Sequence, residues 1–424
     1  MNSKIKSIHA RQIVDCKCRP MVEVDVVTED GCLGRGCAPT GSSVGMSESY
    51  VLRDNNPDEY HGLSVHKAVD NVNNLIAPAL CGMDVTRQKE IDQIMINLDG
   101  TPEKKSLGGN AVYSTSIAVF RAAAKASRQT LYQYIAGDTI QTVPVPSFNV
   151  INGGHYADLT QPFNEFIIMP YGASDIYEAV EMGINTFQEL EKVIAKHLGH
   201  KPEVAPSYGY ASPSADPEVN LNLISEAVEK CGYTGKIGFA FDCASSEMYD
   251  RKNNTYLLKG ERVTADALID YVKMLTQKFN FVFIEDLLDE EDWESYPKAH
   301  KEITRTNIIG DDFIVTNLDR LKRAYKLNAL DGFILKPNQV GTITEAMNAY
   351  NFAKEHDLLA IPSGRAGGVI GDVVMDFAVG LQVGFIKNGA PRSGERIDKL
   401  NFLMRACDLN PGCQLADISS LLKF

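Results

Sequence analysis

Six short apolar runs in the second half of the chain constrain its fold more than any other feature: KIGFAFD, NFVFIED, TNIIGDD, LDGFILK, LLAIPSG and VGFIKNG. Each is rich in β-branched or aromatic residues and alternates with helical sequence. From the second run on, their ends lie about 25 residues apart, the repeat of a βα unit. Such units pair into a parallel sheet, and a succession of them predicts a closed α/β barrel. At 424 residues the chain has room for that barrel and one further domain.

The further domain is expected at the amino-terminal end. MVEVDVVTEDGCLGRGC alternates apolar and polar residues on both sides of Glu29-Asp30-Gly31, the pattern of a hairpin with a turn glycine. Helical periodicity follows in VHKAVDNVNNLIAPAL, TRQKEIDQIMINLDG and GGNAVYSTSIAVFRAAAKAS, so this part reads as an α+β unit. Pro144 and Pro146 break both helix and ladder and mark a boundary near residue 140. The expected domains are residues 1–138 and 139–424.

The formal charge of −13, with no local basic patch, argues against nucleic acid or an anionic membrane surface as a partner. No stretch approaches the roughly 18 apolar residues of a membrane span, and MNSKIKSIHARQ lacks the apolar core of a signal peptide, so a cytoplasmic location is expected. Nine cysteines suit reduced thiols better than a disulfide framework. Cys16, Cys18, Cys32 and Cys37 have spacings that a zinc site could use, but the strand pattern around them accounts for them as ordinary β residues.

The chemistry gathers at the ends of the apolar runs. In order they are Asp242, Glu285 with Asp286, Asp311 with Asp312, Lys336, Ser363 to Arg365, and Lys387. Parallel barrel strands all end on one face, which brings these side chains to one mouth. A single strand-end carboxylate reads as a helix cap; three successive ones repel unless a cation is present, and a hard divalent ion such as Mg²⁺ suits oxygen donors. Lys336, in such company, is expected to have a lowered pKa and to act as a base, taking a proton next to a carboxylate. IPSGRAGGVIGD, late in the barrel, lacks the G-x-G-x-x-G spacing of a dinucleotide loop and suits a phosphate site with Arg365 supplying charge.

The blocks VEVDVVTEDG, LRD, INGG, FDCASSE, IEDLLDEEDW, DDFIVTN, LKPNQVGTITEA and IKNGAP occur here in the order found in enolases, and the chain resembles that family over nearly its whole length. The resemblance implies an enolase-like modified (β/α)8 barrel with an N-terminal α+β capping domain, a homodimer or a higher assembly, and Mg²⁺ dependence. It implies that Asp242, Glu285 and Asp311 hold Mg²⁺, that Ser43 helps to bind a second ion, and that Lys336 is the base. Glu165 would act near the leaving hydroxyl, Arg365 on the phosphate and Lys387 on the substrate carboxylate.

Several positions depart from the family pattern. Tyr208 stands where enolases carry the glutamate that helps to expel the hydroxyl, and Tyr156 where they carry an active-site histidine, with His155 one position early. In the segment Ser363-Gly-Arg-Ala-Gly367, Gly364 replaces a histidine and Ala366 a serine, and Asp15-Cys-Lys-Cys-Arg-Pro20 replaces a DSRGNP-like motif. A neutral phenol with its usual pKa near 10 is no direct substitute for a carboxyl group. These changes favour an altered substrate, a phosphorylated or phosphonylated carboxylic acid handled as by carboxyphosphonoenolpyruvate synthase, an enolase relative of phosphonate biosynthesis. In that reading Gly364 and Ala366 empty the pocket beside Arg365, Tyr208 takes a catalytic position with Lys336 and Glu165, and Tyr156 binds the substrate with Ser363, Arg365 and Lys387. The alternatives are an ordinary enolase converting 2-phosphoglycerate to phosphoenolpyruvate, and a non-catalytic binding protein on the same scaffold.

Overall fold

A computed structural model describes residues 2–41, 45–137, 139–154 and 161–424. The amino-terminal unit opens with three antiparallel strands, β1 (Ile5–Val14), β2 (Pro20–Thr28) and β3 (Leu33–Cys37). Gly31 takes φ 86° in the β2–β3 turn, as the hairpin pattern requires. Strand β1 has no counterpart in the sequence reading, because charged and polar side chains interrupt its alternation. Its register pairs Arg11 with Glu23, and Arg11 and Arg35 both grip Asp25.

Helices α1 (Gln88–Asp99) and α2 (Gly109–Ala126) cover this sheet as expected. The alanine-rich face of α2 approaches β3 so closely that a Cβ at Gly34 or Gly36 would lie 2.0 Å from the carbonyl oxygen of Ala118 or Ser114. Val22, Val24 and Val26 of β2 pack against Ala118 and Ala122 in one buried cluster.

The barrel strands are β4 (Val145–Asn152), β5 (Glu165–Met169), β6 (Gly238–Asp242), β7 (Phe281–Glu285), β8 (Asn307–Gly310), β9 (Gly332–Leu335), β10 (Leu359–Pro362) and β11 (Phe385–Lys387). They pair in chain order from β4 to β10, β11 pairs with β4, and a bridge between Ser363 and Lys387 joins the end of β10 to β11. Ile167, Ala240, Phe283, Ile309, Ile334 and Phe385 fill the interior, so the barrel is a packed core with its chemistry at the rim. The six apolar runs pair in parallel as expected, while β5, which lies outside them, runs antiparallel to both neighbours. That reversal has a use: Glu165 begins its strand, and so reaches the rim at which the other strands end.

Two further helices matter below, α3 (Ile343–Glu355) and α4 (Gly394–Asp408). Buried Asp92 of α1 accepts from Ser116 on α2 at 2.7 Å and from the Thr344 N–H on α3 at 3.0 Å, tying the amino-terminal unit to the barrel. No described helix is long and apolar enough to cross a membrane.

Candidate active site at the barrel mouth

Strand register sets out the acidic side of the mouth. Glu165 lies opposite Asp242 across β5 and β6, and Asp242 lies level with Glu285 across β6 and β7. Three adjacent strands therefore present carboxylates at one height. Lys387, ending β11, reaches across to all three, with Nζ 2.5 Å from Glu285, 3.1 Å from Asp242 and 3.6 Å from Glu165. Beside them the Lys336 ammonium contacts Asp311, whose other oxygen accepts from Gln339 at 2.9 Å. Asp286 accepts the backbone N–H groups of Asp311 and Asp312 at 2.8 and 2.7 Å, fixing the turn after β8.

Burial governs the protonation of this group. It pushes the Glu285 carboxyl well above its ordinary range, and the neighbouring Asp242 adds to the rise. Burial also raises Glu165, against the pull of Lys387. Asp286 is pushed up to about 7 by burial and by Asp311. The expected lowering of Lys336 is not found: burial is the largest influence and pulls it down, but the surrounding carboxylates, Asp311 first and then Glu285, together leave it above the ordinary lysine value.

The acidic groups at this mouth could hold a metal ion. Asp242, Glu285 and Asp311 offer hard oxygen ligands, and Glu285 Oε1 is buried with no hydrogen-bond partner. Among the described residues, the three carboxylates whose oxygens all lie within 4.8 Å of one another are Asp286, Asp311 and Asp312; of the expected trio this group includes Asp311 and neither Asp242 nor Glu285. Among the described residues, groups able to hold a metal include no cysteine. Cys37 turns its thiol to Glu23, and the nine cysteines are unbridged.

The opposite wall is built from Ser363 to Ala366, from α4 and from the amino-terminal unit. Arg365 is buried and clasped by Glu48, with Nη1 to Oε2 at 2.8 Å and Nη2 to Oε1 at 3.2 Å. An anion from the amino-terminal unit thus meets the arginine that the sequence reading assigns to phosphate. The Asp15–Arg19 turn docks on the same loop, where the Cys16 N–H donates to the Gly368 carbonyl at 3.1 Å. The mouth opens into a cleft of about 750 Å³, counting its open side, lined by Glu165, Asp242, Asp311, Lys336, Arg365 and Lys387 among others.

Two expectations about the substituted positions change. The space at Gly364 is not empty: a Cβ there would stand 2.4 Å from Lys399 Nζ and 3.2 Å from Asp372 Oδ2. Lys399 and Arg396, both on α4 and both lining the cleft, were missed in the sequence because a helix following the last strand reads as an outer-layer helix. Tyr208, at φ 72°, lays its ring over the Arg396 guanidinium at 5.1 Å and donates its hydroxyl to the Cys16 carbonyl at 3.4 Å. Its neighbour Ser207 lines the cleft. Ser43 and Tyr156 lie outside the described residues.

Comparison with known proteins agrees with this architecture. Residues 5–135 match the family model "Enolase, N-terminal domain", and residues 140–413 match "Enolase, C-terminal TIM barrel domain". The chain is 42% identical over 402 residues to the protein named Enolase from Methanococcus maripaludis strain S2, covering 95% of this chain and 94% of that one. The proteins of the same name from Methanococcus aeolicus and Methanococcus vannielii match with the same identity and coverage. With both halves of the fold matched and the rim carrying lysines among carboxylates, the chain belongs to the enolase family of carbon–oxygen lyases.

Proposed function

We propose that this protein dehydrates 2-phosphoglycerate to phosphoenolpyruvate. The observation that carries the reading is the juxtaposition of Lys336 and Lys387 with Glu165, Asp242, Glu285 and Asp311 on one rim of the barrel. The relatives' shared name, Enolase, favours this reaction over the carboxyphosphonoenolpyruvate synthase-like one.

In this reading Lys336 takes the proton from the carbon next to the substrate carboxylate. Mg²⁺ held by Asp242, Glu285 and Asp311 would supply positive charge to that carboxylate and take up the Asp311 charge that otherwise keeps Lys336 protonated. Glu165, raised by burial and oriented by Asn149 Nδ2 at 3.0 Å, is the group placed to give a proton to the departing hydroxyl. Lys387 neutralises the carboxylates between which the substrate must sit. Arg365 exchanges Glu48 for the phosphoryl group, so that binding trades one buried ion pair for another. The protein would work in the cytoplasm, as a homodimer.

A second reading, a different phosphorus-bearing acid, is favoured by two observations: Tyr208 turns its hydroxyl to a backbone carbonyl, and Lys399 stands at Gly364. Incubation with Mg²⁺ and 2-phosphoglycerate in D₂O separates the two. Exchange at C2 together with phosphoenolpyruvate formation is the expected result. Exchange without dehydration would transfer support to the second reading, and absence of both would remove the first.

A further inference from the structure

Lys399 is 3% exposed, yet its ammonium lines the cleft through the gap at Gly364. Its nearest carboxylate oxygens are Glu395 Oε2 at 3.3 Å and Asp372 Oδ2 at 3.9 Å, and both of those oxygens are buried without a hydrogen-bond partner. An ammonium has three donors, and ion pairs at such distances leave it able to turn a donor toward a ligand. Arg396, by contrast, is engaged with Glu395 at 3.1 Å and with the Ser207 carbonyl at 2.6 Å.

A second observation points at the same wall. Asn388 is 2% exposed, lines the cleft, and has neither its amide nitrogen nor its amide oxygen hydrogen-bonded. A buried amide left unpaired on both atoms calls for a partner absent from the protein itself. The other lysines of the rim are matched by strand carboxylates, and Arg365 is matched by Glu48. On this wall Lys399 has only long ion pairs and Asn388 has no hydrogen bond, while across the cleft Asn164 Oδ1 is also buried without a partner.

We infer that Lys399, with Asn388, forms an anion-recognising wall of the cleft, and that Lys399 is a specificity-determining residue which contacts a doubly ionised phosphoryl or phosphonyl group beside Arg365. This rests on the reading of the cleft as a site for a phosphorus-bearing acid. Gly364 is then required because any side chain there would displace the ammonium. A tetrahedral group with three oxygens can meet the Arg365 guanidinium and the Lys399 ammonium at once, which a planar carboxylate does less well.

The test is calorimetric binding of inorganic phosphate to the full chain with Mg²⁺ present. Lys399→Met and Gly364→Ala should each raise the Kd about 10-fold, the loss of one charge-assisted hydrogen bond, while Lys399→Arg should change it less than about 3-fold. Gly364→Ala presses on the side-chain ends of Lys399 and Asp372 and not on backbone, so it decides the matter if Lys399→Met, which strands two buried carboxylates, fails to fold. Unchanged phosphate affinity in folded Gly364→Ala, or no phosphate binding by the unsubstituted protein, overturns the inference. A protein that binds phosphate through Lys399 but does not turn over 2-phosphoglycerate keeps this inference and loses the functional reading above.

Discussion

Lys387 and Glu165 carry opposite obligations at one point of the rim. The lysine is held well above its ordinary pKa, burial being outweighed by the carboxylates around it, Asp242 and Glu285 first, while burial raises the glutamate. In the proposed reaction one is a fixed charge and the other the general acid. Glu165→Gln should therefore cut phosphoenolpyruvate formation by about 10²- to 10⁴-fold, the usual contribution of a general acid, and leave C2 exchange in D₂O largely intact. Steady-state kinetics and NMR on one sample check both halves. At this scale the sequence was most legible where a residue ends a strand, since Asp242, Glu285, Asp311, Lys336 and Lys387 all reach the rim that their positions predict. It was least legible for Glu48, Arg396 and Lys399, which arrive from a loop of the other unit and from a helix face, where no periodicity marks a site.

Among the elements, the amino-terminal sheet packs tightly on its helix. A Cβ at Gly36 would lie 2.0 Å from a backbone carbonyl of α2, so Gly36→Ala must move an element rather than a side chain. We expect a loss of about 1–3 kcal/mol, read as a lower urea midpoint with an unchanged m-value. The same sheet sets an acid limit. The Arg35 guanidinium, with Arg11, holds Asp25 down to about 2 from its ordinary 3.8, so its stabilisation is present above about pH 4 and is lost as pH falls toward 2. Asp25→Asn should flatten that part of the stability–pH curve by up to one proton's slope, as thermal melts at successive pH values would record. The hairpin and both helices were readable from their periods. The antiparallel course of β5 was not, because an apolar run such as EFIIM carries no mark of its direction.

At the scale of the molecule, the active cleft is a joint product of two units. The barrel supplies the carboxylates and lysines, while Glu48 and the Asp15–Arg19 turn close the wall at Arg365. A barrel alone would leave Arg365 without the Glu48 carboxylate that clasps it. Sequence motifs gave the scaffold of both units; the way one completes the other's site depends on contacts more than 300 residues apart in the chain, such as that between Glu48 and Arg365. The central claim is that Lys336, among these carboxylates, draws a proton from 2-phosphoglycerate on the way to phosphoenolpyruvate. The most direct measurement is the Mg²⁺-dependent rate of phosphoenolpyruvate formation by the unsubstituted protein and by Lys336→Ala. The account predicts turnover within the usual enzymatic range of about 1–10³ s⁻¹, falling about 10²- to 10⁴-fold in a folded Lys336→Ala protein. No phosphoenolpyruvate from the unsubstituted protein, or an equal rate from both, would contradict it.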